Sequence, residues 1–135
     1  GENYGWPEAS YGTRYYNGKS YFTSHSLGNF KEPLFTFLPA VAPTSLTTCP
    51  INLEKYYDNN ICLMGLSLKG MSILIFLLDN ENSRVISVES ISLDKRLRHF
   101  GLNKKTKLFL DDENNFYITA DNDGLYKVKF GKFRQ

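Results

Sequence analysis

Apolar positions along the chain cluster most densely in residues 61–79, Ile-Cys-Leu-Met-Gly-Leu-Ser-Leu-Lys-Gly-Met-Ser-Ile-Leu-Ile-Phe-Leu-Leu-Asp, where Lys69 is the single basic residue. Two short apolar runs, Ile61 to Leu66 and Ser72 to Leu78, predict buried strands, and Lys69-Gly70 between them predicts a turn. Lys69 is therefore expected at the mouth of a central hairpin. Buried strands need partners on both sides, so further antiparallel strands are expected around it.

The rest of the pattern supplies them. Residues 1–31 are rich in Tyr, Gly, Asn and Ser and poor in aliphatic residues, which predicts an ordered aromatic loop rather than a helix or a buried strand. In Asn3-Tyr4-Gly5-Trp6-Pro7 the Gly and Pro permit a tight turn that brings Trp6 and the tyrosines into packing. Glu32 to Pro39 reads as a short strand bounded by prolines, and Leu46 to Cys49 as another. Pro50 to Asn60 is a polar loop with room for a helical turn. After the Asp79 to Ser83 turn, Arg84 to Ile91 alternates apolar and polar residues at period 2, as a half-exposed outer strand does. Lys107 to Leu110, Phe116 to Thr119 and Leu125 to Phe130, separated by Asp/Asn/Gly turns, predict a meander. Strand after short strand without a convincing helix gives an all-β chain with propeller-like or barrel-like spacing.

Composition sharpens this reading. The 135 residues are one domain's worth, and 41% apolar content suffices for a core. Ten Phe and nine Tyr favour sheets over helices. A net charge of +2 implies no field strong enough to hold nucleic acid or an anionic membrane. The longest apolar run, Ile73 to Leu78, is far short of the roughly 20 residues a spanning helix needs, so no membrane span is expected. The opening Gly-Glu-Asn-Tyr-Gly-Trp-Pro has no charged-then-apolar leader and reads as the middle of a domain. Cys49 and Cys62 are expected as two free buried thiols; the alternative, a disulfide between neighbouring strands, suits an oxidising compartment.

Candidate chemistry is sparse. Arg96 and Arg98, two apart, project to one side of an extended backbone. By themselves they read as a solvated charged edge. His25, flanked by serines, reads as a solvated loop histidine. Asp111-Asp112-Glu113-Asn114-Asn115 lacks the spacing and terminal bidentate Glu of an EF-hand loop and reads as a hairpin turn, not a calcium site.

Five segments in order carry a resemblance: Asn3 to Pro7, Phe37 to Ser45, Gly65 to Gly70 with its following apolar strand, Arg96-Leu97-Arg98, and Asn115 to Asp121. Together they resemble the C-terminal part of the glucose/sorbosone dehydrogenase family, soluble quinoprotein sugar dehydrogenases built as six-bladed β-propellers that use pyrroloquinoline quinone (PQQ). The resemblance implies a single partial propeller domain over 1–135, with an ordered loop over 1–31 and blade strands over 32–135. These would form antiparallel four-stranded blades, about two in number. It also implies a periplasmic or secreted location and a sugar substrate for the complete protein.

Carried over residue by residue, the resemblance places Lys69 at the family's cofactor-contacting lysine, and Arg96 and Arg98 at its arginine pair on the anionic edge of PQQ. Guanidinium forks and an ammonium suit a polycarboxylate quinone and the negative charge that develops on hydride transfer. The departures are as informative. The family's stacking aromatic falls on Leu38, its neighbouring hydroxyl residue on Ala40, and the aspartate that often follows the second arginine on His99. The general-base histidine and the calcium ligands belong to earlier blades, so no catalytic residue and no metal ligand is assigned in this chain. His25 matches no family motif.

Two functions follow as expectations. One is the C-terminal fragment of a PQQ-dependent sugar dehydrogenase, inactive alone. The other is a non-catalytic propeller-derived binding or self-assembly module that has lost the cofactor, with exposed blade edges covered by homo-oligomerisation.

Overall fold

The computed structural model describes residues 1–57, 60–81, 83–103 and 107–131. Asp58 and Asn59 of the expected polar loop and Asn82 of the expected turn after Leu78 lie outside them. The chain divides into two compact units, Gly1–Ala40 and Val41–Gln135.

The first unit is the aromatic loop. It contains neither helix nor multi-residue strand, only an isolated parallel bridge between Ala9 and Thr23. Its order comes from turns closed by backbone hydrogen bonds, such as Glu8 N and Ala9 N to Gly5 O at 2.7 and 2.8 Å and Lys31 N to Asn3 O at 2.8 Å. Gly5 sits at φ +85°, and a Cβ there would lie 2.7 Å from the Phe30 ring, so the turn admits only glycine. Three expectations are corrected. Most of the aromatics are exposed rather than packed: Trp6 is 69% accessible and Tyr15 91%, although Trp6 does lie 5.4 Å from Tyr21. His25 is buried, with its ring stacked on Tyr11 at 4.8 Å, rather than solvated. Glu32 to Pro39 forms no strand, because among the described residues no neighbouring strand offers it a ladder.

The second unit is all-β apart from one short helix. Its elements are β1 (Pro43–Thr48), α1 (Ile51–Tyr56), β2 (Ile61–Ser67), β3 (Ser72–Leu78), β4 (Val85–Ser92), β5 (Leu97–Phe100), β6 (Phe116–Ala120) and β7 (Gly124–Val128). They make two antiparallel sheets, a four-stranded β1-β2-β3-β4 and a three-stranded β5-β6-β7, consistent with partial propeller blades. The predicted hairpin is the pair of central strands β2 and β3, in register from Ile61–Leu78 to Ser67–Ser72. β4 is the half-exposed outer strand the alternation predicts. Lys107 to Leu110 contributes only an isolated bridge, Leu102 to Leu108, so the expected three-strand meander is a hairpin of β6 and β7 with β5 in front.

The core fills the space between one face of the first sheet and one face of the second. Cross-strand neighbours share a face, so Cys62, Met64 and Leu66 align with Leu77, Ile75 and Ile73. They pack with Leu97, Phe100, Phe116 and Ile118 of the second sheet and with Leu53 of α1. Each such side chain, fully buried, contributes about 1.5–3 kcal/mol of transfer free energy. The two sheets are also tied at the start of β1: the Thr44 hydroxyl donates to Leu97 O at 3.1 Å. In β5 the register shifts between Leu97 and His99, a bulge that buries Leu97 and Phe100 while Arg98 and His99 both face solvent.

Cys49 and Cys62 form a disulfide, with Cα atoms 5.4 Å apart, correcting the expectation of free thiols. The sequence gives the spacing but not the register: Cys49 N donates to Cys62 O at 3.0 Å, extending the β1–β2 ladder so that the two side chains meet. The crosslink closes a loop of 13-residue separation around α1, for which the chain-entropy account gives about 3 kcal/mol. Replacing both cysteines by alanine should lower the unfolding free energy by about that amount in urea titrations, and reductant should affect only the wild type; equal midpoints for the two proteins would remove the stabilising role.

Candidate anion-binding site

The site is built from two turns and one bulged strand. The first turn, Leu68 to Met71, joins β2 to β3 and is held from one side: Val41 O receives hydrogen bonds from Ser67 Oγ at 2.6 Å, Lys69 N at 3.0 Å and Gly70 N at 3.1 Å, and Ala42 O receives one from Leu68 N at 3.0 Å. Gly70 N also donates to Ser67 Oγ at 2.8 Å, an approach so close that a Cβ at Gly70 would sit 2.5 Å from that oxygen. The turn is thus fixed by backbone, and Lys69 is left exposed at its tip. Among the described residues no salt bridge engages Lys69.

Arg96 and Arg98 flank Leu97 at the start of β5. The structure brings them together on one carboxylate, that of Asp121 in the β6–β7 turn. Asp121 Oδ2 accepts from Arg96 Nε at 3.2 Å and from Arg98 Nη2 at 2.9 Å, while Oδ1 accepts from Arg98 Nε. The backbone closes the same junction, with Asp121 N donating to Arg96 O at 2.8 Å. Lys95, one residue earlier, pairs with Asp123 at 2.6 Å and lies 6.0 Å from the Tyr126 ring centroid. Three bases thus meet two acids, and one positive charge is left over.

Lys69 makes no contact with the arginine pair among the described interactions, but the two features are linked through β1. Val41, which holds the Lys69 turn, lies three residues before Thr44, whose hydroxyl is bonded to the carbonyl of Leu97 between the arginines. Both basic features therefore belong to the same end of β1.

Asp121 is the residue that sequence reasoning missed. Its signal was available, since an Asp-Asn-Asp-Gly turn directly follows an apolar strand, but nothing in the spacing says that the turn closes beneath the arginines. The Asp111 turn, by contrast, is a turn as expected, though among the described residues it leads into β6 without a paired strand before it. Asp111 accepts from Asn115 Nδ2 and from the Tyr117 hydroxyl, both at 2.9 Å, and pairs with Lys127 at 3.3 Å, so its own chain saturates it. Those bonds, Asn115 first, hold its carboxyl far below the usual range.

The chain belongs to the glucose/sorbosone dehydrogenase family, whose sequence model matches residues 1–120. An uncharacterized protein of Synechocystis sp. is 28% identical over 116 residues, which make up 85% of this chain and 27% of that protein. The chain thus spans about a quarter of the length of this curated relative. No solved structure matches it significantly. Among the described residues no helix is long and apolar enough to cross a membrane.

The hydrogen bond from Arg98, with a smaller one from Arg96 and against the opposing effect of desolvation, depresses the Asp121 carboxyl below its ordinary value of 3.8. The reciprocal bond raises the Arg98 guanidinium. Because the folded value is the lower one, the stabilisation from this group is complete above the ordinary carboxylate value and is lost as pH falls through the depressed one. Carbon-detected NMR titration should find the Asp121 midpoint below 3.8 and moved upward by Arg98→Ala. A midpoint unmoved by that substitution would mean the pair is not formed in solution.

Proposed function

We propose that this chain forms part of a PQQ-dependent sugar dehydrogenase-like β-propeller, in which Lys69, Arg96 and Arg98 supply a basic wall for the anionic edge of the cofactor. The observation that carries the reading is the arginine pair. Asp121 engages both side chains from the Nε side, leaving the two terminal nitrogens of Arg96 and Nη1 of Arg98 without a partner among the described hydrogen bonds. Open guanidinium nitrogens held side by side suit planar carboxylates, and the donor set fits PQQ on that ground.

When bound, PQQ supplies an ortho-quinone that accepts the reducing equivalents of a sugar. The role of this chain is to bind and orient. Arg96 and Arg98 would hold carboxylate oxygens, and the Lys69 ammonium, on a turn fixed by Val41, would stabilise negative charge on the oxidant as it is reduced. No side chain of this chain is assigned as general base, so proton removal from the sugar falls to residues elsewhere in the complete protein, as does calcium binding. Leu38 has no ring to stack and Ala40 no hydroxyl to donate, so neither is assigned a part in holding the cofactor. The buried disulfide accords with a periplasmic or secreted location.

PQQ titrated into the full-length protein should bind more weakly when Lys69 or Arg96 is replaced by alanine, by roughly tenfold for a charge-assisted contact. Unchanged affinity would remove that residue from the site. This chain incubated with PQQ, calcium and aldoses should not reduce a redox dye, and robust reduction would refute the assignment of the base to other residues.

A second reading, a non-catalytic self-assembly module, is favoured by β4. This edge strand is exposed along most of its length, with Glu89 as its one ionised side chain and Ile86 and Ile91 on its surface. Light scattering separates the readings: a concentration-dependent dimer abolished by Ile86→Lys supports edge assembly, and a monodisperse monomer at high concentration argues against it.

A further inference from the structure

We propose that Asp121 is a positioning residue for the anion-binding arginines, a side chain that lowers the positive charge of the site yet raises its affinity by holding two guanidinium groups on one carboxylate with terminal nitrogens left open. The inference rests on the reading of Arg96 and Arg98 as the anionic wall and deepens it.

Two opposed effects meet at this carboxylate. An aspartate beside an anion site should weaken anion binding by like-charge repulsion. Yet each arginine is about half exposed, with side-chain accessibilities of 53% and 46%, and a free arginine of that exposure samples many rotamers. Binding a planar dicarboxylate then requires freezing both, at a cost for every immobilised rotamer-rich side chain. Asp121 meets that cost during folding. Its own side chain is only 20% accessible, and its backbone is fixed by the hydrogen bond to Arg96 O and by the hairpin pair Ala120–Gly124. Each of its oxygens is used: Oδ1 holds Arg98 Nε, and Oδ2 bridges Arg98 Nη2 and Arg96 Nε.

The mode of attachment matters more than the attachment itself. End-on pairing through both terminal nitrogens would consume the donors an anion needs. Side-on pairing through Nε leaves the outward nitrogens open on both arginines. The repulsion is also partly offset where it stands, because one carboxylate serves two guanidinium groups and the neighbouring Lys95 is matched separately by Asp123. Preorganisation therefore outweighs repulsion.

The charge effect and the positioning effect predict opposite signs for Asp121→Asn, which makes the proposal sharply testable. PQQ is titrated into the full-length protein at 0.15 M salt, following intrinsic fluorescence, for the wild type and for Asp121→Asn, Asp121→Glu, Arg98→Lys and the Arg96→Ala/Arg98→Ala double variant. Positioning predicts that Asp121→Asn binds about five-fold more weakly and that Asp121→Glu recovers part of the loss. It also predicts that Arg98→Lys, which keeps the charge but loses the fork, binds as weakly as Asp121→Asn. In the free protein the ¹⁵Nε signals of Arg96 and Arg98 should be individually resolved and protected from solvent exchange, and Asp121→Asn should merge both with the mobile arginines. Equal or tighter PQQ binding by Asp121→Asn overturns the proposal, as do Nε signals indifferent to that substitution. Unaltered binding by the double variant overturns it as well, and by a different arm, because it shows that the arginines do not meet the cofactor.

Discussion

The structure depends on the double burial of the β2–β3 hairpin. One face, Cys62, Met64, Leu66, Ile73, Ile75 and Leu77, makes the contact between the two sheets, and the opposite face buries Leu74 and Leu78 as well. A slip of one residue in the pairing would exchange these faces, so the register is firmly specified. With the register fixed, the turn at Lys69 cannot wander. Its amides converge on Val41 O, and its glycine is locked against Ser67. A core interaction thereby sets the position of an exposed charge.

The same logic carries across to the second sheet. Leu97 is buried in the shared core, and its carbonyl is held by Thr44. Because Leu97 points inward, the residues on either side of it turn outward, and the bulge at Arg98 lets both guanidinium groups reach one carboxylate. Packing thus does the aiming, and Asp121 does the fixing. The arrangement separates stability from function: the fold's energy lies in apolar side chains between the sheets, and the proposed chemistry lies in charges that stabilise the fold little on their own.

Much of the second unit could be read directly from the chain. β2, β3 and β4 announce themselves because apolar runs and period-2 alternation are written in consecutive residues, and the Asp/Asn/Gly turns mark their ends. What failed to show is what depends on residues distant in sequence. The disulfide needed the β1–β2 register, the Asp121 contact needed the closure of the β6–β7 turn beneath β5, and the burial of His25 needed the stacking of Tyr11. Glu32 to Pro39 failed for the opposite reason: its local composition suits a strand, yet no neighbouring strand offers it a ladder. Arg96 and Arg98 were found by family motif. The alternation rule that places them on one side holds only in part, because the bulge beside Leu97 also contributes.

The central claim is that the open nitrogens of Arg96 and Arg98 face an anionic cofactor. A crystal structure of the full-length protein soaked with PQQ tests it most directly. The account predicts carboxylate oxygens of the cofactor within hydrogen-bonding distance of the terminal nitrogens of both arginines, with Asp121 still engaging their Nε atoms. A bound cofactor seated away from this pair, with the same nitrogens turned to bulk solvent, would contradict it.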